Sequence, residues 1–331
     1  MIDFRAQTKS HLEKLLTCSD TDLDQVAIES FASDVVFDAC APVEQLNGVT
    51  DIVGGFYQPL RAALTGLQRR DEIFIGGQNI REEGGTWLAS VVHYVGNFQN
   101  SLWGIEPCDR LVFLRAGEFY RLDEGRITKA RIIVDLPDLM NQCGRFPFPR
   151  ELGTEVTFPG PATHDGVCPS QGDGSASLDV VEGMLADLHA YDPETFESKD
   201  QTGANGYWAE DMLWYGPGGI GSNYLWSGFV KDHRESFLKA FPDRKGGNHY
   251  CRIGDGNYAA VSGWPSMTMT HQGDYLGAKA DGRALTLRVM DFYRCAGGRI
   301  KENWVLLDYV DLMAQMGVDV IARSNAMTPL R

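Results

Sequence analysis

Apolar and polar residues alternate through much of the final third of the chain. In the stretch 257–275, Val261, Met267, Met269 and His271 fall on one face, and Ser262, Ser266, Thr268 and Thr270 on the other. In 283–294, Leu285, Leu287, Val289, Asp291 and Tyr293 share a face. In 300–308, Ile300, Glu302, Trp304, Leu306 and Asp308 do. A period of two marks a strand, because successive side chains of a strand point to opposite sides. Helical spacing appears instead in SHLEKLL (10–16), LDQVAIESFA (23–32), SLDVVEGMLADLHAY (177–191) and YDPETFE (191–197). Helices gathered ahead of a run of strands predict an α+β fold, with the helices on one side of a curved antiparallel sheet. Such a sheet, folded around a helix, leaves a cone with an open mouth.

The pattern is written twice. GRITKARIIVDLPDLMNQCG (125–144) aligns without a gap on GRIKENWVLLDYVDLMAQMG (298–317), and LRAGEFYR (114–121) on LRVMDFYR (287–294). A period this long implies duplicated domains, since solenoid repeats run at about 20–50 residues. The stretch 145–176 is dense in Pro and Gly and has no periodicity, as a surface-wrapping linker would. The expected organisation is therefore a first domain over 1–146, a linker over 147–176 and a second domain over 177–331, packed as an intramolecular pseudo-dimer, with homodimerisation left open.

The residues 270–317 carry a more specific signal. THQGDYLGAKADGR, then DFYR ending a strand, then GRIKENW and an aspartate before the last helix, resemble the SnoaL-like polyketide cyclases of the nuclear transport factor two-like (cystatin-like) superfamily. The resemblance implies two tandem cone-shaped α+β domains of that fold. It also implies cofactor-independent acid/base chemistry on a carbonyl compound, of the intramolecular aldol cyclisation type or a related isomerase or lyase reaction. The first copy departs from the pattern, with Phe98, Lys129 and Arg131 where the second has His271, Glu302 and Trp304. The second copy is thus the expected site-bearing one.

Three residues are candidates for the chemistry. Asp308 stands where the family places an acid/base, but Asp-x-x-Asp before a helix is also how an N-cap reads, and Asp135 repeats it in the first copy. His271 is placed to hydrogen-bond a carbonyl or to stabilise its turn. Asp291, on an apolar stripe, needs a partner if buried, with Arg288 and Arg294 at hand. Trp304, Tyr215, Glu302 and Trp226 are the expected substrate contacts, against a default of core packing. A non-catalytic small-molecule-binding or assembly module on the same fold is the competing function. Epoxide or other hydration chemistry, using Asp291 with Arg288, is a third. GPGGIG (216–221) fits a dinucleotide fingerprint formally, but SNYLWS intervenes before any helix, so it reads as a flexible loop over the mouth.

Composition narrows the classes. A formal net charge of −15 without a Lys/Arg cluster argues against nucleic acid and anionic membrane surfaces. No apolar run reaches the ~20 residues of a membrane span, and the N-terminus shows no leader pattern. Seven scattered cysteines and seven scattered histidines, without CxxC or HExxH spacing, predict reduced thiols, a cytoplasmic location and no metal. The expected partner is a small carbonyl compound, with room for an aromatic one, and no cofactor.

Overall fold

The computed structural model describes residues 3–154, 158–192, 194, 195, 198, 201, 202 and 206–329. It contains two six-stranded sheets of the same order. The first is built from β1 (Phe31–Ala39), β2 (Gln45–Asn47), β3 (Leu64–Gln78), β4 (Thr86–Phe98), β5 (Arg110–Asp123) and β6 (Arg126–Val134). The second is built from β7 (Trp208–Tyr215), β8 (Ser222–Tyr224), β9 (Cys251–Asp255), β10 (Tyr258–Thr270), β11 (Ala284–Ala296) and β12 (Arg299–Leu307). Their orders are β2-β1-β6-β5-β4-β3 and β8-β7-β12-β11-β10-β9. The sheets are mixed where an antiparallel sheet was expected. β1 runs parallel to β6 and β7 parallel to β12, because a helical crossover and a meander bring the last strand back beside the first.

Helices precede each sheet as the periodicity predicts: Arg5–Thr17 and Leu23–Ser30 in the first unit, and Ser175–Leu188 in the second. The helix expected over 191–197 lies partly outside the described residues, and Glu194 and Thr195 within it form a turn. A longer helical segment crosses from the short second strand to the third in each unit. It is interrupted at the same place by one π-helical turn, Val53–Tyr57 in the first unit and Val230–Arg234 in the second. A π turn rotates the side chains that follow it and often marks a functional position. Here it decides which residues reach each cone. The closing helices, Leu136–Gln142 and Tyr309–Gln315, are capped by Asp135 and Asp308, which accept from the N–H groups of Asp138 and Asp311.

The outer faces of the two sheets pack on each other. Phe119 on β5 meets Phe292 on β11 with ring centroids 5.4 Å apart. A Cβ added at Gly117 would sit 3.2 Å from Leu306, Met290 and Phe292, so that glycine sets the close approach. Arg5 and Asp255 form a buried ion pair at 2.9 Å across the units, and the Gly76 N–H donates to Asp255 at 2.9 Å. Both faces of each sheet are therefore covered, one by its own helices and one by the other unit. The Pro/Gly-rich segment lies over both, burying Phe148 and Phe158 and bridging Thr154 to Ser222.

Candidate functional site

The inner face of the second sheet encloses a cavity against the segment Leu225–Ala240 and the helix Ser175–Leu188. It offers the centre of a water molecule about 100 Å³, several times what one buried water requires. A small organic molecule fits such a space. The strand alternation sets which residues face in: Leu287, Val289, Asp291 and Tyr293 from β11, with Asn303 and Val305 from β12. Aromatic rings of Trp208, Trp214, Phe229 and Phe237 complete an apolar wall.

Asp291 is the one carboxylate of this lining among the described residues. It is half-buried, and burial pushes its acid up to about 7, with the side chains of Asn303 and Tyr293 holding it down as hydrogen-bond partners. The two arginines nearest in sequence go elsewhere: Arg288 to Asp308 at 3.0 Å and Arg294 to Glu302. The histidines of the lining came from no sequence motif. His233 lies in the π turn, stacked on Trp214 with centroids 4.7 Å apart, and its Nδ1 has no hydrogen-bond partner among the described residues. Burial, with Arg234 and Arg244 nearby, takes its imidazolium down to about 3. His249 is likewise taken to about 3 by burial and Arg252, whose Nε donates to its Nδ1 at 3.1 Å. These rings are neutral and act as hydrogen-bonding groups. Spacing alone could have flagged His233, since Phe229, His233 and Phe237 recur every four residues on one helix face.

The matching place in the first unit is filled. Glu118 occupies the Asp291 position, and Arg69 grips it with two hydrogen bonds of 2.9 and 2.6 Å. Tyr94 donates to the same carboxylate, and Glu118 is fully buried. Phe56 and Tyr57 stand in that unit's π turn where the second unit has His233 and Arg234.

The remaining sequence candidates lie outside the cavity lining. Asp308 is in the contact between the units, where its Oδ2 accepts from the Ala41 N–H at 3.1 Å and from Arg288, and burial pushes its acid up to about 7. Glu302 accepts from Tyr215 at 3.2 Å and from Arg294, and the Ala162 N–H lies over it at 3.3 Å. Trp304 donates to the Pro159 carbonyl at 2.7 Å and packs on Tyr215 with centroids 5.3 Å apart. These residues are together, but on the outer face of the sheet. Trp226 stands one layer behind the wall, against Trp208 and Phe229. His271 is fully buried at the end of β10, 3.3 Å from Asp281 and beside Phe241. GPGGIG is buried in the contact between the units and not over the mouth; its Gly218 N–H donates to Asp135 at 2.9 Å.

Residues 189–316 match the family model described as SnoaL-like polyketide cyclase. The match falls within the second unit, which is similar to SnoaL-like proteins, and does not extend to the first. The chain is similar to many solved structures, three of which illustrate the likeness. A candidate SnoaL-like polyketide cyclase from Jannaschia sp. CCS1 is 15% identical over 43% of this chain and 94% of its own, with a TM-score of 0.35. IdmH from Streptomyces antibioticus is 20% identical over 43% and 99%, with a TM-score of 0.34. TsrD from Streptomyces laurentii is 12% identical over 44% and 98%, with a TM-score of 0.36. No curated protein matches the chain. Among the described residues, no helix is long and apolar enough to cross a membrane, and no group of three or more His, Cys, Asp or Glu is placed to hold a metal ion.

Proposed function

We propose that the second unit is a cofactor-independent acid/base enzyme acting on a small carbonyl compound, with Asp291 as the group that moves the proton. The observation that supports this most is a cavity-facing carboxyl whose acid lies near 7 and which has no cationic partner among the described residues. A base is most useful when its acid sits near the working pH, and one such group is typically worth ~10²–10⁴-fold. Asn303 and Tyr293 orient the carboxylate. The proton leaves the carbon next to the carbonyl and resides on Asp291. The enolate then attacks within the folded substrate or is reprotonated at another carbon, as in the cyclase and isomerase reactions of SnoaL-like proteins. The neutral His233, with a free ring nitrogen, is suited to hydrogen-bond the developing oxyanion. Asp308 then serves as helix cap and interface group.

The direct test is proton exchange. Phenylpyruvate incubated with the protein in D₂O should lose its benzylic proton signals by NMR faster than in buffer. An unchanged exchange rate for this and related aromatic ketones would count against an acid/base role.

A further inference from the structure

Resting on that reading of the cavity, we infer that Ser266 is a specificity-determining residue. It reads a hydroxyl that the ligand carries, one ring's length from the carbon served by Asp291. The first observation is an orphaned group. Ser266 lines the cavity and is 1% exposed, yet its Oγ has no hydrogen-bond partner among the described residues. A buried hydroxyl left unpaired costs stability, and the cost is offset where a ligand supplies the partner.

The second observation is how the chain delivers this side chain. Gly263 pairs with Val289 and Met267 with Leu287, so Trp264, Pro265 and Ser266 all stand opposite Arg288. In the first unit His93 alone stands opposite Arg115, and the pairing of β4 with β5 is unbroken. The bulge thus belongs to the unit that holds the cavity, and bulges re-aim side chains beside functional sites. Trp264 packs on the Arg288 guanidinium, 4.8 Å from its ring, while Ser266 joins the lining. The arrangement is held tightly. A Cβ on Gly263 would lie 2.4 Å from the Ser266 Cα. Asn248 donates its N–H to the Ser266 carbonyl at 3.2 Å and its Nδ2 to the Pro265 carbonyl at 3.0 Å.

Ser266 stands three residues along β11 from Asp291, a separation on the order of 10 Å. A benzene ring with a polar contact at each end spans that gap, and the aromatic wall suits such a ring. A serine hydroxyl gives or accepts, so a ligand hydroxyl satisfies it in either sense. The neighbourhood is polar as well: a Cβ on Gly246 would lie 3.5 Å from Met267, 2.9 Å from His189 and 3.7 Å from Arg244.

Calorimetric titration with 4-hydroxyphenylacetone and 4-methylphenylacetone, which are close in size, tests this without turnover. The parent protein should bind the hydroxyl compound tighter by about tenfold or more. Ser266→Ala should bring the two within about threefold, without weakening the methyl compound. The ligand-free variant should melt no lower than the parent, because the hydroxyl it lacks had no partner to lose. Equal binding of the two compounds by the parent, no measurable binding of either, or a preference that survives Ser266→Ala would each overturn the inference. So would a lowered melting temperature in the variant, which would mark the serine as structural. If Asp291 moves no proton, the hydroxyl preference still stands. If the preference is absent, proton exchange by Asp291 on phenylpyruvate can still be seen.

Discussion

The carboxylate of Asp308 accepts a hydrogen bond from the backbone N–H of Ala41 in the other unit, at 3.1 Å. The reverse contact is present too, from the Gly218 N–H to Asp135 at 2.9 Å. Each aspartate also caps its own closing helix and pairs with an arginine of its own sheet, Arg288 or Arg115. One side chain per unit thus ends a helix and clasps the partner unit. This accounts for the survival of the aspartate in both copies without a catalytic duty.

Breaking the clasp should be costly, and more so at the fully buried Arg115 pair than at Arg288. Asp135→Ala leaves Arg115, 1% exposed, with Asp138 at 2.9 Å as its remaining anion, and should destabilise the chain by about 3 kcal/mol. Asp308→Ala should cost less, about 2 kcal/mol, because Arg288 keeps Glu44 at 2.8 Å. Urea denaturation at pH 7 measures both.

Gly218 has no room for a side chain. An added Cβ would stand 2.6 Å from the Asp138 nitrogen and 3.0 Å from the Pro137 carbonyl carbon, backbone atoms that cannot swing aside. Gly218→Ala should therefore lower stability by about 1–3 kcal/mol. Thermal unfolding checks this, with Gly228→Ala, where no heavy atom lies within 4 Å, as the control.

Asp291 should make stability fall with pH. Its carboxyl goes from an ordinary 3.8 to about 7 in the folded state, so between those values the folded chain holds a proton that the unfolded chain has lost. The contribution is present below about pH 4, declines through about pH 7 and is level above it. Asp291→Asn should leave stability at pH 4 unchanged and raise it at pH 8 by about 2 kcal/mol, a figure reduced for the partial exposure of the residue. Asp308 adds a slope of the same sign, which this variant retains.

The filled cone of the first unit predicts a buried-charge signature. Arg69→Met leaves the buried Glu118 without its cation, while Asp71 keeps Lys9 at 3.1 Å, and should destabilise by about 3–5 kcal/mol. Adding Glu118→Met should restore part of that loss. Neither change should alter ligand binding in the second unit.

The alternation along β11 put Asp291 and Tyr293 on one face, and that face is the cavity wall. The same reading of β12 grouped Glu302, Trp304 and Asp308 correctly, yet they face the linker and the first unit. Periodicity tells which residues share a face, not which face encloses a cavity, and here both faces are covered. His189, His249 and Arg244 were invisible for another reason. They come from a helix end and irregular loops, where no period places a side chain. The repeated pattern was readable because the clasp uses the same aspartate in each unit, and the filling around Glu118 in the first unit showed only as isolated differences between the two stretches.

The measurement that bears most directly on the account is benzylic proton exchange of phenylpyruvate in D₂O by two variants that share one chemical change. Asp291→Asn should fold and lose about a hundredfold or more of the exchange rate, whereas Asp308→Asn, which keeps the cap, should stay within about threefold of the parent protein. Loss of exchange in Asp308→Asn with full activity in Asp291→Asn would contradict the account.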